Sequence, residues 1–217
     1  YEINKENGRH GSVGKPISTL RVKIVDDELT ELPAFETGQI ALGGPCIMKG
    51  YYKNPKATQA VLWTDDEGVR WLQTGDLGYL DDEGNLYITG RKKYVIVLPG
   101  GKNVNPELVE AALSEARFVA EVLVVPHVYG DKEEAVRAIV RPALDALAGH
   151  TELSEADLAE QIHVVKKLVW QSIHECQSRS RRLSSYEKIS SQHLDIRIDE
   201  FEKTSTGKIR RELYMKK

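Results

Sequence analysis

Three short runs hold residue types that could do chemistry. Thr74-Gly75-Asp76 sets a carboxylate behind a glycine turn. A carboxylate fixed in this way can accept two hydrogen bonds from neighbouring hydroxyls, which is how acids hold a ribose. Gly90-Arg91-Lys92-Lys93-Tyr94 offers the planar five-donor fork of Arg91, suited to ribose or phosphate oxygens. Thr204-Ser205-Thr206-Gly207-Lys208-Ile209 places an ammonium in a hydroxyl-rich stretch near the C-terminus. Its tail looks like the end of a phosphate-cradling loop, but that motif requires a glycine at 202 and a hydroxyl residue at 209. Glu202 and Ile209 stand there instead, and no strand-loop-helix unit surrounds them. Taken singly, each run also reads as a plain feature: a turn, a solvated basic corner, a surface loop with one lysine.

These residues need elements to position them. RVKIVD (21–26) alternates Val22 and Ile24 with basic residues, as a half-buried strand does. QIAL (39–42) is a second short strand, stopped by Gly43-Gly44-Pro45. Asn54-Pro55 predicts a capped helix over 54–62. Asp65-Asp66-Glu67-Gly68 and Asp81-Asp82-Glu83-Gly84 predict turns that join short aromatic-rich strands. From Arg91 onward the pattern changes. YVIVL (94–98) reads as a buried strand ending at Pro99-Gly100-Gly101, and Asn105-Pro106 starts a helix with Leu108, Val109 and Ala112 on its apolar face. VAEVLVV (119–125), VRAIVR (136–141) and LDIRI (194–198) predict three further strands. Ser154 and Asp157 form a capping-box pattern with Leu153 and Leu158 as its staple. One helix of about six turns is expected from there, presenting Leu158, Ile162, Val165, Val169, Ile173 and Cys176 along one face.

The 217 residues suffice for one or two domains, and a net charge of -3 calls for neither nucleic acid nor an anionic membrane. Residues 1–91 carry 10 Lys/Arg against 14 Asp/Glu, whereas 92–217 carry 20 against 19. A boundary near 91 is therefore expected. Cys46 and Cys176 show no paired spacing, which fits free thiols in a reducing cytoplasm. No apolar run is long enough to span a bilayer, which leaves peripheral membrane contact open. The opening YEINKENGRHG has no initiator Met and no signal-peptide pattern, so a piece of a longer protein is expected. The six histidines lack metal-ligand spacing, His163 and His174 being three turns apart on the expected helix. Ser178-Arg179-Ser180-Arg181-Arg182 could meet a phosphate but reads better as a solvated helix end, and Trp63, Trp71 and Trp170 read as packing residues.

The order of the segments says more than any one of them. GPCIMKGYYKNPKAT, WLQTGDLGYLDDEGNLYITGRKKYVIV, GGKNVNPELVE and FEKTSTGKIRREL follow one another along the chain. This series resembles the adenylate-forming superfamily of acyl-CoA synthetases, firefly-type luciferases and peptide-synthetase adenylation domains. The resemblance covers roughly residues 11–118 and 183–213. It implies an α+β fold in two parts: residues 1–91, a β-rich, barrel-like piece of the large domain, and residues 92–217, the small mobile lid. It further implies that Asp76 binds the ATP ribose with Arg91 beside it, and that Lys93 is the hinge. Gly100 and Gly101 would line the channel for the CoA pantetheine arm. Lys208 would bridge the carboxylic acid substrate and the α-phosphate during adenylation.

By the same resemblance the phosphate loop, the acyl pocket and the Tyr-Gly-x-Thr-Glu segment that assists Mg²⁺ binding would precede residue 1. The chain alone is then expected to bind neither acid nor ATP well. One departure stands out: the position six residues before the catalytic lysine, usually Pro, is Glu202. The WLQTGDLGYLDDEGNLYITGRKK and GGKNVNPE segments resemble long-chain fatty acyl-CoA synthetases most. A fatty acyl-AMP ligase, a carrier-loading adenylation domain, or a non-catalytic module that keeps the fold are the alternatives.

Overall fold

The computed structural model describes residues 11–129, 132–151, 153–180 and 183–215. They form an α+β chain in two compact units that divide between Tyr94 and Val95.

The first unit is built on strands β1 (Arg21–Val25), β2 (Gly38–Gly43), β3 (Leu62–Thr64), β4 (Arg70–Leu80) and β5 (Leu86–Arg91), with the short helix α1 (Pro55–Gln59). Asn54 caps α1 as its spacing predicts, accepting the Ala57 N–H at 3.0 Å. The helix ends earlier than expected, because Leu62 already pairs with Leu72 in β4. The two acidic turns are built alike. Asp65 Oδ1 accepts the N–H groups of Glu67 and Val69, and Asp81 Oδ1 those of Glu83 and Asn85. Such side-chain-to-backbone bonds are why Asp begins turns. Trp71 is buried with Val25 and Ala41, stacks on Trp63, and donates its indole N–H to Asp65 at 2.8 Å.

Among the described residues of 1–91 the sheet does not close into the barrel-like shape expected. β2 pairs with β1 and β4, while β3 lies along the first half of β4 and β5 along its second. Among the described residues β1 pairs with neither β3 nor β5. The sheet therefore stays open.

After β5 the chain winds one 3₁₀ turn, Lys92–Tyr94. The predicted strand 94–98 shortens accordingly to β6 (Ile96–Leu98), which forms a hairpin with β7 (Lys102–Val104). The second unit continues with α2 (Pro106–Leu113), β8 (Val119–Tyr129), β9 (Lys132–Pro142), α3 (Leu144–Ala148), α4 (Glu155–Glu160), α5 (Ile162–Arg179) and β10 (Leu194–Ile196). β8 and β9 are antiparallel, and β10 joins parallel to β9. Strand alternation gives this sheet two buried faces. Val122 and Val124 join the main core with Val109, Leu113, Val165, Val169 and Ile173. Leu123 and Val125 point the other way, against Phe201, Ile209 and Tyr214 of the C-terminal segment. Each fully buried aliphatic side chain contributes about 1.5–3 kcal/mol, so this segment is part of the fold.

Two helix readings need correction. α2 buries Pro106, Val109, Ala112 and Leu113, leaving Leu108 46% exposed; Leu108 lies one position off the stripe. The single long helix is two, broken at Gln161 with φ -95° and ψ 56°. The Ser154–Asp157 capping box forms, and Leu158, Val165, Val169 and Ile173 are all fully buried. Ile162, however, lies at the break and is 43% exposed. Tertiary burial of α4 and α5 overrides the continuous period.

Candidate active site

Thr74-Gly75-Asp76 lies inside β4 and not in a turn between strands. Gln39 and Ala41 of β2, two apart, face Leu77 and Gln73 of β4, four apart, so residues 74–76 bulge. Gly75 makes the bulge with φ +77°, a conformation that favours glycine. Thr74 Oγ1 staples it by donating to the Ile40 carbonyl at 2.9 Å and accepting the Asp76 N–H at 3.0 Å. Across the β4–β5 ladder Asp76 faces Arg91 directly, and Arg91 Nε lies 2.6 Å from Asp76 Oδ1. The structure thus brings together two residues fifteen positions apart. The Asp76 side chain keeps 26% of its surface exposed and that of Arg91 49%, so a partly accessible carboxylate and guanidinium form one polar site.

Lys93 sits in the 3₁₀ turn with its ammonium 4.5 Å from the centre of the Tyr94 ring. Its neighbour Lys92 reaches back to Asp27 at 2.6 Å and to the buried Gln39 at 3.1 Å. The Lys92 hydrogen bond and charge lower the Asp27 pKa. The end of the first unit is therefore tied to the loop after β1 and to β2.

In the second unit Gly100 and Gly101 form the β6–β7 turn, closed by the Gly101 N–H on the Leu98 carbonyl at 3.1 Å. Their φ values are +82° and +75°, and a Cβ at either would meet nothing within 4 Å. Lys208 lies on a separate exposed loop. Lys203 and Ile209 bridge its stem, and the Lys208 carbonyl accepts the Thr204 N–H at 2.8 Å. Thr204 Oγ1 accepts the Lys208 N–H at 3.2 Å, and Gly207 turns the chain at φ +79°. This hairpin presents the ammonium outward and is unlike a phosphate-cradling loop.

Sequence reasoning missed the groups below that loop. Arg211 is buried, donating Nη1 to the Val124 carbonyl at 2.7 Å and Nη2 to Glu110 Oε2 at 2.8 Å. Glu110 Oε1 accepts the Val124 N–H at 2.6 Å. Burial pushes the Glu110 carboxyl up, while the bonds from Arg211 and Val124 pull it part of the way back. A signal existed: Glu110 continues the stripe of Pro106, Val109 and Leu113, where a charge needs a partner.

Cys46 and Cys176 are free thiols, and Cys176 donates to the Ala112 carbonyl at 3.2 Å. Arg181 and Arg182 of the basic run lie outside the described residues. Among the described residues no group of three His, Cys, Asp or Glu is arranged to hold a metal ion. No helix among them is long and apolar enough to cross a membrane.

The chain matches the AMP-binding enzymes over residues 2–52 and the AMP-binding enzyme C-terminal domain over residues 93–217, and it belongs to that family. It is 42% identical over 146 residues to a long-chain-fatty-acid–CoA ligase of Bacillus subtilis, covering 66% of this chain and 25% of that one. It is 32% identical over 204 residues to a 4-coumarate–CoA ligase of Pinus taeda, covering 94% of this chain and 32% of that one. Among solved structures it resembles the O-succinylbenzoate Coenzyme A synthetase of Bacillus subtilis in complex with AMP. That likeness has a TM-score of 0.67 and 28% identity, over 97% of this chain and 36% of the other. The chain thus spans about a quarter to a third of the length of these relatives.

Proposed function

We propose that these residues are the C-terminal part of an ATP-dependent acyl-CoA ligase that adenylates a carboxylic acid and passes the acyl group to CoA. The observation that carries the reading is the Asp76–Arg91 pair on a stapled bulge, in a chain whose second unit matches the family's C-terminal domain throughout. Asp76 accepts from the ribose hydroxyls, and Arg91 holds the carboxylate in place while adding positive charge for nucleotide oxygens. Attack of a carboxylate on the α-phosphate brings two anions together, and the Lys208 ammonium lowers that cost while pyrophosphate leaves. Lys93 is the hinge about which residues 92–217 turn between the two half-reactions. The Gly100-Gly101 turn then faces the pantetheine arm. Mg²⁺ would be held outside these residues and would neutralise the leaving pyrophosphate. A cytoplasmic setting suits the two free thiols.

A long-chain fatty acid is the substrate class we favour, supported by the identity to the Bacillus subtilis ligase. The 4-coumarate ligase of Pinus taeda shows that similar sequences also serve an enzyme named for an aromatic acid. The test is turnover by the full-length enzyme with a panel of fatty and aromatic acids. Acid-dependent pyrophosphate exchange followed by CoA-dependent AMP release is expected, fastest with long chains. Exchange without any CoA-dependent step would point to an acyl-AMP ligase or a carrier-loading domain, and no exchange with any acid to a non-catalytic module.

A further inference from the structure

We infer that Arg211 is a positioning residue for Lys208, fixing the lysine loop to the body of the second unit through its buried pairing with Glu110. This rests on the role proposed above for Lys208.

The loop is exposed from Glu202 to Lys208, and the hydrogen bonds among Thr204, Thr206, Gly207 and Lys208 are local. Local bonds hold its shape but not its place. Its place comes from its two ends. On the entering side Phe201 is buried, and Lys203 pairs with Glu121 of β8 at 2.5 Å. On the leaving side, three residues past Lys208, Arg211 makes the two bonds to Val124 and Glu110 already described. With the Val124 N–H on Glu110, these form a closed set of three charge-assisted bonds joining β8, α2 and the C-terminal segment. The Arg210 N–H on the Glu202 carbonyl, at 2.8 Å, carries that anchorage to the loop stem.

The residue at 202 contributes as well. A proline has no N–H, whereas here the Glu202 N–H donates to Tyr214 Oη at 2.9 Å and the Glu202 carboxylate lies 3.6 Å from Arg210. Tyr214 packs edge-on to Phe201. The loop that departs from the family's usual proline thus regains stiffness by tying its entry to its exit. A buried ion pair is seldom the most stable way to fill a core. Its directional bonds do fix orientation, which a cation delivered to a transition state requires.

The test uses Arg211→Met, Arg211→Lys and the double variant Glu110→Leu/Arg211→Met in the full-length enzyme, with Lys208→Ala as reference. Arg211→Met should lower the kcat of adenylation about 100-fold, the scale of a misplacement near 1 Å, with little change in KM for ATP. Thioester formation from supplied acyl-adenylate should stay near the parent rate. Arg211→Lys should recover part of the loss. The double variant should recover the melting temperature without recovering adenylation, an outcome that a purely stabilising role excludes. In the chain itself, Arg211→Met should speed amide exchange at Lys208 and Arg210 more than at Leu123. Adenylation at the parent rate in the double variant, with Lys208→Ala inactive, would overturn the inference and leave the functional reading standing. So would losses in both half-reactions that simply follow melting temperature across the variants. If Lys208→Ala itself adenylates normally, the functional reading falls and this inference falls with it.

Discussion

Asp76 is partly exposed and Lys208 exposed, yet they are held in opposite ways. Asp76 is built into a ladder: β2 and β5 flank it, Thr74 staples the bulge, and Arg91 is its register partner. Lys208 hangs on an exposed hairpin whose anchors lie in the residues on either side. The first arrangement suits a group that must present the same geometry in every step. The second suits a group needed in one step and out of the way in the next. A carboxylate on a ladder and an ammonium on a hairpin thus need not share one scaffold. The difference also says where each should fail on mutation.

Substitution of the lysine should cost the most. Lys208→Ala should slow adenylation by about a thousandfold or more, while substrate binding changes little, because the role proposed for the ammonium is on charge that develops in the transition state. Single-turnover pyrophosphate release measures this directly. A matching rise in KM for ATP, with kcat kept, would make Lys208 an ordinary binding group.

Asp76→Asn should do the reverse. The backbone bulge survives, but Arg91 loses its charged partner and the ribose loses a charge-assisted acceptor, a loss of about 1.5–3 kcal/mol. KM for ATP should rise roughly tenfold or more, with a smaller change in kcat, in initial-rate kinetics on the full-length enzyme. An unchanged KM would place the nucleotide elsewhere.

A weaker dependence is expected on pH, in the second unit. His193 lies against His127 with ring centres 4.4 Å apart, and Ser190 Oγ is 3.2 Å from its Nδ1. Burial, and then the neighbouring His127, lower its pKa, opposed by Asp195, which itself pairs with Arg137. The unfolded chain therefore binds the proton more readily than the folded one. The stability contribution is full above the ordinary histidine value and is lost as pH falls from there through the lowered folded value. In urea unfolding of this chain, His193→Gln should flatten the decline below neutral pH for the second unit alone. An equally steep decline would assign that pH dependence to other groups.

Much of this was legible in the sequence, and the exceptions share a cause. Asn54, Asn105 and Ser154 announced their helices because a cap is a local bond between a side chain and nearby backbone. Asp65 and Asp81 announced their turns for the same reason. The Thr74 staple was not legible, since its acceptor is the carbonyl of Ile40 on another strand. Nor was the break at Gln161, which carries neither Gly nor Pro and serves the burial of Leu158 and Val165 together. Arg211 and Glu110, 101 positions apart, meet only in three dimensions. The open form of the first sheet likewise depends on which strands pair, and short alternating runs do not encode that.

The central claim is that one lid serves two steps with two different loops, and the two half-reactions measured side by side in Lys208→Ala and Gly100→Leu test it. Gly100 has φ +82° and open space around it, so leucine there costs roughly 1 kcal/mol or more through backbone strain. Such a loss alone would depress both half-reactions alike. A crossing is expected: Lys208→Ala should lose acyl-adenylate formation but convert supplied acyl-adenylate to thioester, whereas Gly100→Leu should keep pyrophosphate exchange and lose CoA-dependent turnover. Parallel losses in both variants, or normal acyl-CoA synthesis by a folded Gly100→Leu enzyme, would contradict it.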